Sequence, residues 1–279
     1  MNVLLLGGSG FIGKHLAAAL QARGDEVATA SLRDPKAAAA IAAAFDAIVN
    51  LAGEPVAQRW SAVAKQRIKA SRVELPRRFL EALAQRERRS RTYVSASAIG
   101  YYGSSEGETF VEESPPGDDF LARVCIGSER EAGRAAALGM RVAVVRTGIA
   151  LGKDGGALAK MLPPFRAGVG GRVGTGRQWF SWIHICDLIG IYLMALDRVE
   201  GPVNATSPNP VTNAVLTEKL GAVLRRPTLL SVPTLALRAM LGEGADMLLT
   251  GQRVLPRRTQ EFGYQFAFPG LNAALANLL

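Results

Sequence analysis

The chain has 279 residues, 48% hydrophobic and 20% charged, with 33 Lys and Arg against 24 Asp and Glu for a formal net charge of +9. This is the make-up of a globular chain with ample core, in one large or two modest domains, and no apolar run is long enough to span a bilayer. Cys125 and Cys186 make neither a disulfide framework nor a metal site, and no charged segment precedes an apolar one at the start, so no signal peptide, no membrane and no metal are expected and a reducing cytoplasm fits.

The first element is a strand from residue 2, running into Gly7-Gly8-Ser9-Gly10-Phe11-Ile12-Gly13. Gly7, Gly10 and Gly13 give G-x-x-G-x-x-G, and Gly8, Gly10 and Gly13 give G-x-G-x-x-G. At a strand-to-helix junction such glycines allow a sharp turn, a close backbone approach to a pyrophosphate and close helix–strand packing. The helix, read over 10–23, then offers its free N–H groups to phosphate. A second strand spans 26–30. Ser31 and Arg33 follow, where an acid for a ribose 2′-hydroxyl is expected. Arg33 suits a 2′-phosphate instead, which argues for NADP over NAD.

An alanine-rich helix at 37–44 leads to a third strand over 45–53, which ends in a small-residue turn. One long polar helix is predicted over 61–88. It holds part of the basic cluster Arg86, Arg88, Arg89 and Arg91, but without interleaved aromatics no nucleic-acid partner is expected. The fourth strand, 92–97, ends in Ser95-Ala96-Ser97, and a helix capped by Asp118 or Asp119 runs to 138. A fifth strand covers 141–146. Alternating strands and helices predict an α/β doubly wound parallel sheet of Rossmann type.

After residue 151 glycines crowd the chain (Gly152, Gly155, Gly156, Gly168, Gly170, Gly171, Gly174 and Gly176) and read as loops around a ligand. A helix at 187–197 and a strand at 203–205 follow, then a mostly helical remainder with segments at 213–224, 234–241 and 245–249 and one starting at 271. Residues 1–150, with about 181–206, are expected to form the NADP-binding domain. Residues 151–180 and 207–279 are expected to form a smaller, mostly helical C-terminal substrate lobe.

Taken together, GGSGFIG, NLAGEP at 50–55, Arg59-Trp60, SASAIGYYG at 95–103, GRQWFSWIH at 176–184 and GQRVLPRR at 251–258 resemble the extended short-chain dehydrogenase/reductases. The likeness is to an atypical, 39U-type subfamily of NAD(P)-dependent epimerase-like proteins with a DUF1731-like C-terminal region. The resemblance spans nearly the whole chain. It implies a cofactor set of Gly7, Ser9, Gly10, Phe11, Ile12, Gly13, Leu51, Ala52, Gly53, Ser95, Gly148 and Ile149, beside Arg33.

The wider family carries Tyr-x-x-x-Lys on the helix after the fourth strand. The Lys lowers the Tyr pKa, and the phenolate exchanges a proton while hydride moves to or from the cofactor. Setting Glu129 at the acid that follows this motif puts Leu121 at the Tyr position and Cys125 at the Lys position, and neither can do that work. The catalytic candidates are Ser97, Tyr101, Tyr102 and Glu54. One tyrosine is expected to face the pocket and the other to pack. Arg59, Arg177 and Gln178 could hold an anionic substrate and Trp60, Trp179 and Trp182 could stack on it, or else serve as core. His184 is either a substrate contact or a structural, hydrogen-bonded histidine.

Two functions are carried forward. One is an NADP-dependent oxidoreductase or epimerase-like enzyme acting on a small polar or sugar-like molecule, as a monomer or homodimer. The other is a non-catalytic NADP(H)-binding redox sensor.

Overall fold

The computed structural model describes residues 1–87 and 90–279. Arg88 and Arg89 of the basic cluster lie outside the described residues. The first half alternates β1 (Asn2–Leu6), α1 (Phe11–Ala22), β2 (Glu26–Ala30), α2 (Pro35–Ala42) and β3 (Ala47–Asn50). Next come α3 (Ala62–Lys69), α4 (Leu75–Ala84), β4 (Thr92–Ala98), the short β5 (Thr109–Phe110), α5 (Phe120–Gly133) and β6 (Arg141–Thr147). The second half holds β7 (Ile149–Leu151), α6 (Gly156–Arg166), β8 (Gly171–Val173), β9 (Trp179–Phe180), β10 (Trp182–His184), α7 (Ile185–Asp197) and β11 (Gly201–Ala205). It ends with β12 (Val211–Thr212), α8 (Asn213–Leu224), β13 (Leu230–Val232), α9 (Thr234–Leu241), α10 (Asp246–Leu249), β14 (Arg253–Val254), α11 (Arg257–Glu261) and α12 (Leu271–Leu278).

Six parallel strands form the central sheet in the order β11-β6-β4-β3-β1-β2. Its inner strand β1 is apolar on both faces, because both are covered. Val3 and Leu5 pack with Leu16 and Leu20 of α1 and Leu188 of α7. Leu4 and Leu6 pack on the opposite side with Ala38 and Ala39 of α2 and Phe79 and Leu83 of α4. The order reverses between β1 and β3, and in such sheets the ligand crevice opens at the carboxyl ends of the strands at that switch point.

The apolar layer on the α1 face continues without a break into the C-terminal half, through Leu158, Leu162, Leu216, Leu271 and Leu275. Asp187 fastens the tail there. Its carboxylate accepts the backbone N–H groups of Ala267 at 2.8 Å and Phe268 at 3.0 Å. Among the described residues no helix is long and apolar enough to cross a membrane.

Two local features depart from the sequence reading. The helix predicted over 61–88 is broken into α3 and α4 by a π-turn, Ala70–Glu74. Pro76 is the cause. It has no N–H for the Arg72 carbonyl and its ring crowds that oxygen, so the backbone widens by one residue. The glycine crowd also has a packing role. A side chain at Gly152 or Gly155 would fall on the Phe11 ring, so this loop folds over the start of α1.

Candidate functional site

Two turns build the crevice. Gly7 has φ +85° and its missing Cβ would lie 2.9 Å from the Ala52 backbone, so the turn after β1 and the turn after β3 touch only because residue 7 is glycine. Gly13 has the same role inside the turn, since its Cβ would meet Gly8 at 2.7 Å. Gly10 caps α1 without a side-chain hydrogen bond and the first turn carries no acid. The first N–H groups of α1 are therefore available to an anion.

These elements line one cleft of about 700 Å³ that holds Gly7, Ser9, Gly10, Arg33, Leu51, Ala52, Gly53 and Glu54 together, with Ser31, Arg67 and Ser71. That volume suits a small-molecule ligand. Arg33 is exposed and, among the described residues, no carboxylate lies within ion-pair distance of it. An uncapped helix start at one point and a free guanidinium at another fit the pyrophosphate and 2′-phosphate of NADP.

Phe11, Ile12 and Gly13 sit behind the turn, and the Phe11 ring packs edge-on against His15. Ser95 is buried in β4, in register with Asn50. Gly148 and Ile149 form the corner between β6 and β7, where Gly148 passes too close to Ser181 and Thr206 for any side chain.

At the carboxyl end of β4 a polar chain begins. The Ser97 hydroxyl donates to Glu129 Oε1 at 2.7 Å. Arg146, opposite Ser97 in the β4–β6 ladder, clamps that carboxylate through Nε at 2.9 Å and Nη2 at 2.8 Å. Its Nη1 donates to the Tyr102 hydroxyl at 2.9 Å, and Tyr102 donates onward to Asn204 Oδ1 at 2.7 Å. Arg146 is 3% exposed, so its charge is held almost wholly by these partners.

The two tyrosines differ in burial, and neither lines the cleft. Tyr102 is buried, and burial pushes its phenol up to about 12 despite the neighbouring Arg146 charge. Tyr101 stays half-buried, with the Arg146 guanidinium 3.5 Å over its ring centre. Cys125, at the Lys position, is buried. Desolvation first, and the Glu129 charge second, push its thiol up to about 11, so it is neutral at pH 7. Leu121 packs against Gly100.

Glu54 borders the cleft. Its backbone N–H donates to Ser71 Oγ at 2.9 Å and its carboxylate lies 3.6 Å from Arg67.

The residues expected to meet a substrate do not line this cleft. Arg59 donates to the Ala239 carbonyl at 2.7 Å and the Trp60 N–H donates to the Leu241 carbonyl at 3.2 Å. Both thus fasten the loop after β3 to α9, and the Trp60 ring meets Phe120 edge-on. Gln178 is buried and donates to the Val173 and Leu248 carbonyls. Arg177 and Trp179 both reach Glu106, by an ion pair at 3.4 Å and an indole hydrogen bond at 2.9 Å.

His184 caps α7, its Nδ1 accepting the Cys186 N–H at 3.1 Å, and its ring stacks on Phe268 at 4.0 Å. No group of three His, Cys, Asp or Glu among the described residues is placed to hold a metal ion.

Residues 3–207 match the model of the NAD dependent epimerase/dehydratase family. The chain belongs to this family. Residues 232–278 match a domain of unknown function, DUF1731. Among this epimerase-family chain's relatives is the chloroplastic SDR39U1 homolog of Arabidopsis thaliana, an epimerase family protein. It is 40% identical over 302 residues, covering 100% of this chain and 87% of that protein. The crystal structure of human SDR39U1, solved with NADPH, superposes with a TM-score of 0.91 at 37% identity, covering 100% of this chain and 99% of that one. A nucleoside-diphosphate sugar epimerase from Corynebacterium glutamicum superposes with a TM-score of 0.80 at 34% identity, over 100% of this chain and 58% of that one.

The pairing of Glu129 with Arg146 and Ser97 was not visible as a site in the sequence. Its signal was Arg146 following the apolar run 142–145 in a strand, since such a buried charge needs a counter-charge.

Proposed function

We propose that this protein binds NADPH in the cleft beside the Gly7–Gly13 turn and acts as an oxidoreductase or epimerase-like enzyme on a small polar or sugar-like substrate. The nicotinamide ring supplies a hydride acceptor or donor. The observation that carries the reading is the Ser97–Glu129 hydrogen bond at the end of β4, anchored by Arg146. This pair stands where Tyr-x-x-x-Lys chemistry is absent.

Ser97 has one proton, and it rests on Glu129, so its lone pairs are left to accept a hydrogen bond from a substrate hydroxyl. As that hydroxyl is oxidised to a carbonyl, its proton passes to Ser97 Oγ and the serine proton passes to Glu129 Oε1. Reduction runs the same transfers backwards. Arg146 holds the carboxylate in place between turnovers. Residues 151–180 and 207–279 form the substrate side of the cleft. The NADPH-bound human relative and the sugar epimerase supply independent support for the cofactor and the substrate class.

One observation favours a second reading, a redox-sensing NADP(H)-binding protein without turnover: Leu121 and the neutral thiol of Cys125 occupy the positions of the family's proton-transfer pair. The test is thermal stabilisation by NADPH and NADH, followed by a screen of carbonyl and nucleotide-sugar compounds for loss of NADPH absorbance. At ligand about 100-fold above Kd, NADPH is expected to add about 2.7 kcal/mol. No shift with either cofactor overturns both readings. A shift without turnover on any compound class favours the sensor.

A further inference from the structure

The net charge of +9 has little part in the chemistry above, yet four of its cations gather on one face of the C-terminal half. Residues 155–186 and 219–242 contain no Asp or Glu. β8 and β13 lay these stretches side by side, with Leu230 opposite Gly171 and Ser231 opposite Arg172. Carried back along the strands, that parallel register sets Val169 and Gly170 alongside Thr228 and Leu229. Leu229 is 93% exposed and Leu235, in the first turn of α9, is 80% exposed. Val169 and Leu230 are each more than half exposed.

Arg166 closes α6, Arg172 lies in β8, and Arg225 and Arg226 follow α8. All four are exposed, and among the described residues none has a carboxylate within ion-pair distance. The acids nearest in sequence are engaged elsewhere. Asp154 pairs with His15, Glu218 with Lys219, Glu243 with Lys65 and Asp246 with Arg238, and Asp187 holds the tail. Arg225 has φ +53°, in the left-handed region, and is the one non-glycine residue with positive φ among the described residues. Glycine or asparagine is usual at such a helix end, and an arginine there is strained. The strain is kept at a residue exposed to solvent, so burial in the core does not account for it.

The tip formed by residues 225–235 has neither an acid nor an aromatic residue. A second copy meeting this face across a two-fold axis would set arginine against arginine. Leucine is under-represented among the residues that anchor protein partners. Exposed aliphatic side chains ringed by unpaired cations match instead the boundary between acyl chains and anionic headgroups, where a loop or helix lies without spanning. We propose that residues 225–235, with Val169, Arg166 and Arg172, dock on an anionic lipid bilayer. The leucines enter the acyl boundary and the guanidinium groups meet lipid phosphates. None of these residues lines the cofactor cleft, so this inference does not rest on the NADPH reading above.

The test floats the full chain with vesicles of phosphatidylcholine alone and of phosphatidylcholine mixed with phosphatidylglycerol. Binding to the mixed vesicles at low salt is expected, weakened by added salt and absent on phosphatidylcholine alone. Arg225→Gly is expected to weaken it about fivefold, the size of one cation at an anionic surface. Because glycine relieves the left-handed strain, the thermal midpoint of this variant should hold or rise, so its loss of binding is not a loss of folding. Leu229→Asp is expected to weaken binding about tenfold or more. Arg91→Gln, just before β4, removes one charge away from this face and should change binding less than about twofold. No binding to the mixed vesicles overturns the proposal. So does binding that Arg225→Gly and Leu229→Asp leave unchanged, or that Arg91→Gln weakens equally, because the attraction then belongs to the whole basic chain. Self-association in sedimentation velocity that Leu229→Asp abolishes, without vesicle binding, gives the face to a second copy and also overturns it.

Discussion

Ser97 gives its single hydroxyl proton to Glu129 at 2.7 Å, and Arg146 grips the same carboxylate from the next strand at 2.8 and 2.9 Å. The serine is therefore aimed by an ion pair whose cation is 3% exposed. Removing one partner of such a pair strands the other in low dielectric. Glu129→Ala is expected to lower the unfolding free energy by about 3 kcal/mol. Arg146→Met should cost at least about 1 kcal/mol less in that background than in the unaltered chain. Urea unfolding of the four proteins of this cycle measures both. Equal costs of Arg146→Met in the two backgrounds would show that the pair carries no coupling.

Arg33 and the uncapped start of α1 act on different phosphates, so their effects separate. The exposed Arg33 guanidinium lines the cleft next to Ser31. Arg33→Ala is expected to weaken NADPH by about 1.5–3 kcal/mol, one charged hydrogen-bonding group, and to leave NADH affinity nearly unchanged. Titrating both cofactors against both proteins checks it. A parallel loss for NADH would place Arg33 outside the 2′-phosphate contact.

The front of the fold was legible because it is written in local patterns. Four apolar residues, a glycine turn and an amphipathic helix follow one another in β1, the Gly7–Gly13 turn and α1, and the parallel sheet follows from repeating that pattern. The break at Ala70–Glu74 was not legible, because a proline inside a polar helical stretch can end, kink or widen it, and only packing of Val73 against Gly127 selects the third. The Ser97–Glu129–Arg146 chain joins residues from β4, α5 and β6, and no periodicity links such positions. Arg59, Trp60 and Gln178 looked like ligand groups from their chemistry alone, and in the fold one Arg59 N–H, the Trp60 indole and the Gln178 amide nitrogen also donate to backbone carbonyls, contacts that no local pattern announces.

Gly155 illustrates a glycine set by a neighbour's bulk. Any Cβ there lands on the Phe11 ring. Gly155→Ala is expected to destabilise the chain by about 1–3 kcal/mol, the ordinary cost of overpacking. Because the obstacle is one aromatic ring, Phe11→Leu should recover most of that loss in the double variant. Thermal unfolding of the three variants decides it. If the double variant shows the sum of the single losses, the ring is not the obstacle.

His184 gives a pH dependence whose sign follows from its surroundings. Its Nδ1 accepts the first-turn N–H of Cys186 and its ring lies flat on Phe268. Burial lowers its pKa below the ordinary 6.5, and the Asp187 charge and the Asn277 side chain oppose this less strongly. Protonation thus favours the unfolded chain, where the ordinary value holds, and it removes the lone pair that caps α7. The stabilisation is complete above about pH 6.5 and is lost as pH falls through the lower folded-state value. Unfolding free energy should therefore decline from pH 7 toward pH 5, with part of the slope owed to this ring. His184→Asn keeps a capping oxygen but cannot titrate, so its slope over the same interval should be shallower than that of the unaltered chain. Urea unfolding at half-unit steps of pH reads the difference. Identical slopes would mean that His184 takes up its proton without leaving its place between α7 and Phe268.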